Sequence, residues 1–183
     1  MTATTPDRSR RTWPLLLLLL LLPATLFTGL TAGVFADWAH TVMRGLHTTD
    51  DRTFVAAFQA LDDAILNPLF MIPFMGGLFL SGVAAVLYLV DGDRPAWRWA
   101  AAACGLQCLA LVITMAVHEP LNLVIRDAGD PAGLADPAAV RDAFHETRWV
   151  VWHVVRTLAT VVSFGCLAWA LVLDGRSADN FRR

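Results

Sequence analysis

WVVWHVVRTLATVVSFGCLAWALVL, residues 149–173, is long and apolar enough to cross a bilayer, yet it carries His153 and Arg156 in its first turns. A helix of about 20 apolar residues spans the roughly 30 Å hydrocarbon core. Ionisable groups inside such a span are costly unless they are paired or face a wet cavity, so both are functional candidates. Trp149, Trp152, His153, Arg156 and Thr160 fall at i, i+3, i+4, i+7 and i+11, which is one helical face.

Outward from this stretch the chain offers three more apolar runs, at residues 13–36, 69–90 and 99–117. Of the 183 residues 56% are hydrophobic, the mean hydropathy is +0.54, and 16% are charged, against roughly 25% in a soluble domain. The fold expected is an all-α integral membrane four-helix bundle, with residues 13–174 as its domain and residues 1–12 and 175–183 as short tails. All 14 basic residues are arginine, and a net charge of −2 gives no basic surface for nucleic acid. No nucleotide or flavin motif is evident.

Arg8, Arg10, Arg11, Arg94, Arg98, Arg176, Arg182 and Arg183 lie on one side of these spans, and eleven of the sixteen acids lie on the other. The excess of arginine places both termini in the cytosol, in a multi-pass protein of the cytoplasmic membrane. RSRR followed by the leucine run 15–22 and Pro23-Ala24-Thr25 also resembles a signal peptide, but the apolar character continues to Phe35, which favours a retained span.

Residues 53–67 form an amphipathic outer helix, with Phe54, Phe58, Leu61 and Ile65 at spacings of three and four. It is expected to run on into the second span, kinked at Pro68 and Pro73. Asp136-Pro137 reads as an N-cap and first helical residue of a helix leading into the fourth span. Trp13, Trp97, Trp99 and Trp149 suit an interfacial belt. Cys104, Cys108 and Cys166 read as small apolar fillers. Gly29 and Gly33 make a GxxxG step, suited to packing within the chain or to a homodimer.

The ionisable residues gather at one end. With both termini inside, the outer end collects Asp37 and His40 from the first span, Gln59, Asp62 and Asp63 from the amphipathic helix, His118, Glu119 and Asn122 from the third span, and His153 and Arg156 from the fourth. A polar pocket lined by Phe35, Trp38, Trp149 and Trp152 is the economical reading, with Arg156 paired to Asp62 or Asp63. Interhelical hydrogen bonding without a pocket is the alternative.

The stretches GLTAGVFADW (29–38), RTFVAAFQALDDAILNPLF (52–70), VHEPLN (117–122) and WVVWHVVRTLA (149–159), in this order and spacing, resemble the anthrone-oxygenase-like family of small four-helix membrane proteins. The resemblance covers roughly residues 25–172 and rests on the NP step, the PLN step and the W..W...RT pattern. It implies a single four-helix membrane domain and, for the fungal members that work on polyketides, oxidation of an anthrone to an anthraquinone by dioxygen. Asn122, Arg156 and Thr157 keep the family's usual identity. Asp62, His118 and His153 stand where asparagine is usual, which replaces three amides by metal-ligand types.

Three function classes follow. The first is an oxidoreductase acting on a lipophilic aromatic or quinone-like substrate, with His118, His153, Asp62 and Arg156 as catalytic candidates and Asn122, Trp152, Trp149, Gln59, Trp38 and Phe35 around the substrate. Asp62, His118 and His153 would suit iron, copper or zinc, with Asp63, Glu119 and His40 as alternates. Without metal, an Asp and His pair could remove an acidic C–H proton from an anthrone, whose carbanion reacts with oxygen directly. The second class is a proton-linked carrier or binder, which needs polar residues deep along the bundle. The third is a structural or assembly protein of the membrane, with lipids and a second copy as candidate partners, in which the polar cluster is only an interhelical network.

Overall fold

The computed structural model describes the backbone of residues 8–90 and 96–180, and side chains from Leu16 to Val90 and from Ala96 to Arg176. Among them only helices and turns occur. α1 (Arg8–Asp37) passes through a π-helical turn (Trp38–Val42) into α2 (Met43–His47). Then follow α3 (Asp51–Ile65), α4 (Pro68–Val90) and α5 (Ala96–Ile113), which passes through a second π-helical turn (Thr114–His118) into α6 (Glu119–Arg126). A 3₁₀ turn (Pro131–Gly133), α7 (Pro137–Phe144) and α8 (Glu146–Asn180) complete the chain.

Four helical stretches are long and apolar enough to cross a membrane. α1 packs on α4 and α8, and α5 packs on the same two, so the spans close a square in the order α1, α4, α5, α8. The half nearest the termini is filled by Leu17, Leu21, Ala24, Ala84, Ala100, Ala103 and Leu167. The opposite half is capped by α2, α3, α6 and α7 around Met43, Phe54, Phe58, Ile125, Phe144 and Trp149. Large aliphatic and aromatic residues such as Leu19, Leu30, Phe79, Val112 and Leu158 face outward, as lipid-facing surface requires.

Halfway down, polar groups are buried rather than absent. Gln107 donates to Ser81 at 3.1 Å and accepts from Thr28 at 3.4 Å, while Ser163 donates to the Ala103 carbonyl at 3.0 Å. Gly77 makes this possible, since a Cβ there would meet Gln107 Oε1 and Thr28 Oγ1 at 2.9 Å.

The capped end departs from expectation in several places. The stretch from Leu16 to His47 is 32 residues long, about 48 Å at 1.5 Å per residue, so the first span projects well beyond a bilayer core. The helix before the second span does not run on through Pro68. Asn67 donates to the Ala64 carbonyl at 2.7 Å, ending α3, and its Oδ1 accepts from the amides of Leu69 at 2.9 Å and Phe70 at 3.3 Å, starting α4. Proline at the first helical position makes this a break rather than a kink. Pro73 does lie inside α4.

Asp136 caps α7 as expected, accepting from Ala139 N at 3.0 Å. α7 does not lead continuously into the fourth span, because His145 turns left-handed at φ 52° between them. Of the belt tryptophans, Trp149 is buried in the core and Trp13 lies outside the described side chains. Cys108 is exposed rather than packed as a filler. Gly29 lies against the Phe164 ring, whereas a Cβ on Gly33 would meet nothing within 4 Å. The side chains of Arg8, Arg10, Arg11, Arg94, Arg182 and Arg183, on which the orientation rests, lie outside the described residues.

Candidate functional site

α3 is set by its start. The Asp50 side chain accepts from Thr53 N at 3.1 Å and Thr53 Oγ at 2.6 Å, a standard N-cap. From that register Phe54, Phe58 and Asp62 turn inward while Asp63 is exposed, which resolves the choice between the two acids.

Asp62 does not meet Arg156. Its Oδ2 accepts from Arg126 at 2.6 and 3.1 Å, and its Oδ1 accepts from Asn122 Nδ2 at 2.8 Å. Arg126 also donates to Glu119 at 3.0 Å. Glu119, Asn122 and Arg126 sit at i, i+3 and i+7 of α6, so one helical face presents an acid, an amide and a cation to α3. That spacing could have revealed Arg126 from sequence. Asn122 in turn accepts from Trp149 Nε1 at 2.8 Å. A hydrogen-bonded line therefore runs from α3 through α6 to the start of the fourth span.

Trp149 lies flat on His153, with ring centroids 4.6 Å apart and planes at 10°, and His118 meets its edge at 4.9 Å. Below it, His153 has both ring nitrogens engaged. Nε2–H donates to the Phe35 carbonyl at 2.8 Å, and Nδ1 accepts from Arg156 Nε at 3.1 Å and Nη2 at 2.9 Å. The guanidinium can only donate, so the imidazole is neutral with its proton on Nε2.

The hydrogen-bond and ring partners of Arg156 are neutral. Besides His153 it donates to Thr114 Oγ at 2.9 Å, and it lies over the rings of Phe35 at 4.4 Å and Trp149 at 5.8 Å. Among the described residues no carboxylate lies within ion-pair distance of it. Thr114 opens the π-helical turn that ends at His118, and such turns re-aim side chains where an ordinary helix could not. The missing N–H of Pro120 falls just after this turn, so the helix survives the proline and His118 and Asn122 both face inward.

His118 is 1% exposed. Its Nδ1–H donates to the Ile113 carbonyl at 3.3 Å, and its Nε2 has no hydrogen-bond partner. This nitrogen lies beside the rings of Trp149 and His153.

The three expected metal ligands, Asp62, His118 and His153, are not arranged as a ligand set. The His118 and His153 rings are 5.8 Å apart, but His153 has no free nitrogen and both Asp62 oxygens are taken by Arg126 and Asn122. No group of three histidine, cysteine or acidic residues among the described residues is arranged to hold a metal ion. Of the alternates, Asp63 and His40 are exposed and Glu119 is paired to Arg126.

Two expected substrate contacts lie elsewhere. Gln59 donates to the carbonyls of Ile125 at 2.7 Å and Gly129 at 3.0 Å, closing the end of α6. Trp152 is 39% exposed on the outer face of α8. Phe35 and Trp38 do join the cluster, the latter 5.9 Å from Trp149. Phe70 and Phe74, which the sequence did not single out, pack on Phe35 at 6.0 and 5.9 Å.

His118, His153, Arg156, Trp149, Phe35 and Trp38 come together, Asp62 reaches them only through Asn122 and Trp149, and these side chains pack on one another instead of lining a hollow. An open depression of about 900 Å³ lies above them, between His47, Asp51, Arg141, Glu146 and Trp152, and a cavity of about 10 Å³ lies below, between Thr31, Gln107 and Thr160.

No curated protein and no solved structure matches this chain. The family model described as anthrone oxygenase matches residues 70–166, more than half of the sequence, from α4 through the aromatic and histidine cluster to the middle of α8, and the chain thus belongs to the anthrone oxygenase family.

Proposed function

We propose that this membrane protein is an oxidoreductase that oxidises a lipophilic, enolisable aromatic ketone of the anthrone type with dioxygen at the capped end of the bundle, with His118 as the base. The observation that carries this reading is the free Nε2 of His118, a neutral acceptor held by its Nδ1–H bond to Ile113 and shielded from water. A base of that kind can accept the proton from the methylene carbon between two aromatic rings. The resulting carbanion, stabilised as the enolate of the ketone, gives its electrons to dioxygen. Protonation yields a hydroperoxide, and loss of one water leaves the second carbonyl, so that anthrone and dioxygen become anthraquinone and water. Asp62 acts through Asn122 and Trp149 to position the cluster, not as a second base.

The protein is proposed to sit in the cytoplasmic membrane with both termini in the cytosol, which puts the site near the outer surface. Its test is turnover of anthrone in nanodiscs, followed by oxygen uptake and anthraquinone absorbance. His118→Asn replaces the imidazole by an amide, which cannot act as the base. Activity should fall at least about a hundredfold. Wild-type protein without turnover, or His118→Asn with unchanged turnover, overturns the reading. A structural role is the second reading, favoured by the engagement of both His153 nitrogens and both Asp62 oxygens; it expects no turnover and an unchanged fold in His118→Asn.

A further inference from the structure

We infer that one water molecule is bound inside the bundle, between Thr31 of α1, Gln107 of α5 and Thr160 of α8, and ties these three spans together below the aromatic cluster. The site is independent of the reaction proposed above. A cavity of about 10 Å³ lies there, walled by these three residues and by the apolar Phe74, Leu78 and Leu111. That volume admits one water and no larger molecule.

Thr31 marks the site. The hydroxyls of Thr25, Thr28, Thr114, Thr157 and Thr160 each donate to the backbone carbonyl four residues earlier, at 2.7 or 2.8 Å. This is the ordinary way for a threonine inside an apolar helix to satisfy its proton. Thr31 is 4% exposed, yet its Oγ has no partner in the protein. Buried polar groups are rarely left so, and ordered water is the usual partner where the protein supplies none.

The other two polar residues of the wall have acceptor capacity to spare. Gln107 Oε1 accepts from Thr28 at a long 3.4 Å, and Thr160 Oγ, having given its proton to the Arg156 carbonyl at 2.8 Å, keeps its lone pairs. A water that accepts from Thr31 and donates to these two oxygens makes three hydrogen bonds, the typical number for a buried water. It extends the network of Thr28, Gln107 and Ser81, which joins α1, α5 and α4, to α8 at the residue that holds the Arg156 carbonyl.

The test uses the full chain in phosphatidylcholine nanodiscs with methyl-labelled threonine, and reads magnetisation transfer from water to the methyl groups by NMR. The Thr31 and Thr160 methyls should show water cross-peaks. Thr25, which is also buried but is bonded to the Leu21 carbonyl and does not line the cavity, should show none. Thr31→Ser keeps the hydroxyl and should keep the Thr160 cross-peak. Thr31→Val has nearly the same shape but cannot donate, so it should lose that cross-peak and melt about 2–4 °C below wild type, the effect of one net hydrogen bond in a chain of this size. A hydroxyl without a bound water demands the opposite sign, because valine then removes an unsatisfied polar group. The inference is overturned by a wild-type spectrum with no water cross-peak at Thr31 or Thr160, or with an equal one at Thr25. It is also overturned by a Thr160 cross-peak that survives Thr31→Val or vanishes in Thr31→Ser, or by Thr31→Val melting at or above wild type. The wild-type spectrum decides by itself if a variant fails to fold.

Discussion

Trp149 and His153, one turn apart on α8, are stacked with their planes 10° apart, and the indole N–H of Trp149 is held by Asn122 at 2.8 Å. The imidazole thus has its face set by an indole and its two nitrogens set by a carbonyl and a guanidinium. Nothing in this arrangement leaves His153 free to turn, so it is a neutral strut between Phe35 and Arg156. The base proposed within the cluster is therefore His118 rather than His153.

Trp149→Phe keeps the stacked ring and removes the N–H donor. The Asn122 oxygen then loses its partner in a half-buried position, at a cost of roughly 1–2 kcal/mol. Denaturant unfolding in detergent micelles should show that loss, and an unchanged midpoint would mean that the bond does not hold the indole.

The Asp62–Arg126 pair is the charged link between α3 and α6, with side-chain exposures of 8% and 29%. Arg126→Ala leaves the Asp62 carboxylate buried with only Asn122, and should destabilise by about 3 kcal/mol, the lower part of the range for breaking a buried pair. Arg126→Lys should recover part of this. Equal stability of Arg126→Ala and wild type would show that the pair contributes nothing net.

Gly77→Ala drives a methyl group against Gln107 Oε1 and Thr28 Oγ1 at 2.9 Å, in the middle of the bundle. Overpacking of this kind costs roughly 1–3 kcal/mol. At Gly33 the same change meets nothing within 4 Å and should stabilise by up to about 1 kcal/mol through helix propensity alone. Thermal unfolding of the two variants side by side tests the contrast.

Asp50 caps α3 outside the membrane, and its hydrogen bonds from the Thr53 side chain and amide hold its carboxyl below the ordinary carboxylate value. A lowered folded pKa means that the stabilisation is present above the unfolded pKa and is lost as pH falls through the folded one. Protection of the α3 amides against hydrogen exchange, relative to their intrinsic rates, should therefore fall on acidification below about pH 4, and Asp50→Asn, which caps without titrating, should lack that fall. An identical pH profile in the two proteins would remove Asp50 as the cause.

A reporter fused after Arg183 should behave as cytoplasmic, because arginines cluster at the ends and between the second and third spans. An external signal would reverse the membrane face assigned to the site.

The four spans, the all-helical class, the capped end and the gathering of Asp62, His118, His153 and Arg156 there were legible in the order of the residues, because hydrophobic length and helical period are local properties. The break at Asn67-Pro68 was hidden because one amide side chain ends α3 and begins α4 at once. Which acid meets which arginine was decided only by packing: Asp62 sees Arg126 because α3 lies against α6, while Arg156 is turned toward His153 and Thr114. The π-helical turns at Trp38–Val42 and Thr114–His118 leave no period in the sequence, yet Thr114 and His118 bound one of them. Charge complementarity and side-chain aim depend on neighbours many residues away, so a sequence can bring ligand-type residues to one depth without making them a ligand set. Here tertiary structure committed the Asp62 carboxylate and both His153 nitrogens elsewhere, and left the His118 Nε2 without a hydrogen-bond partner.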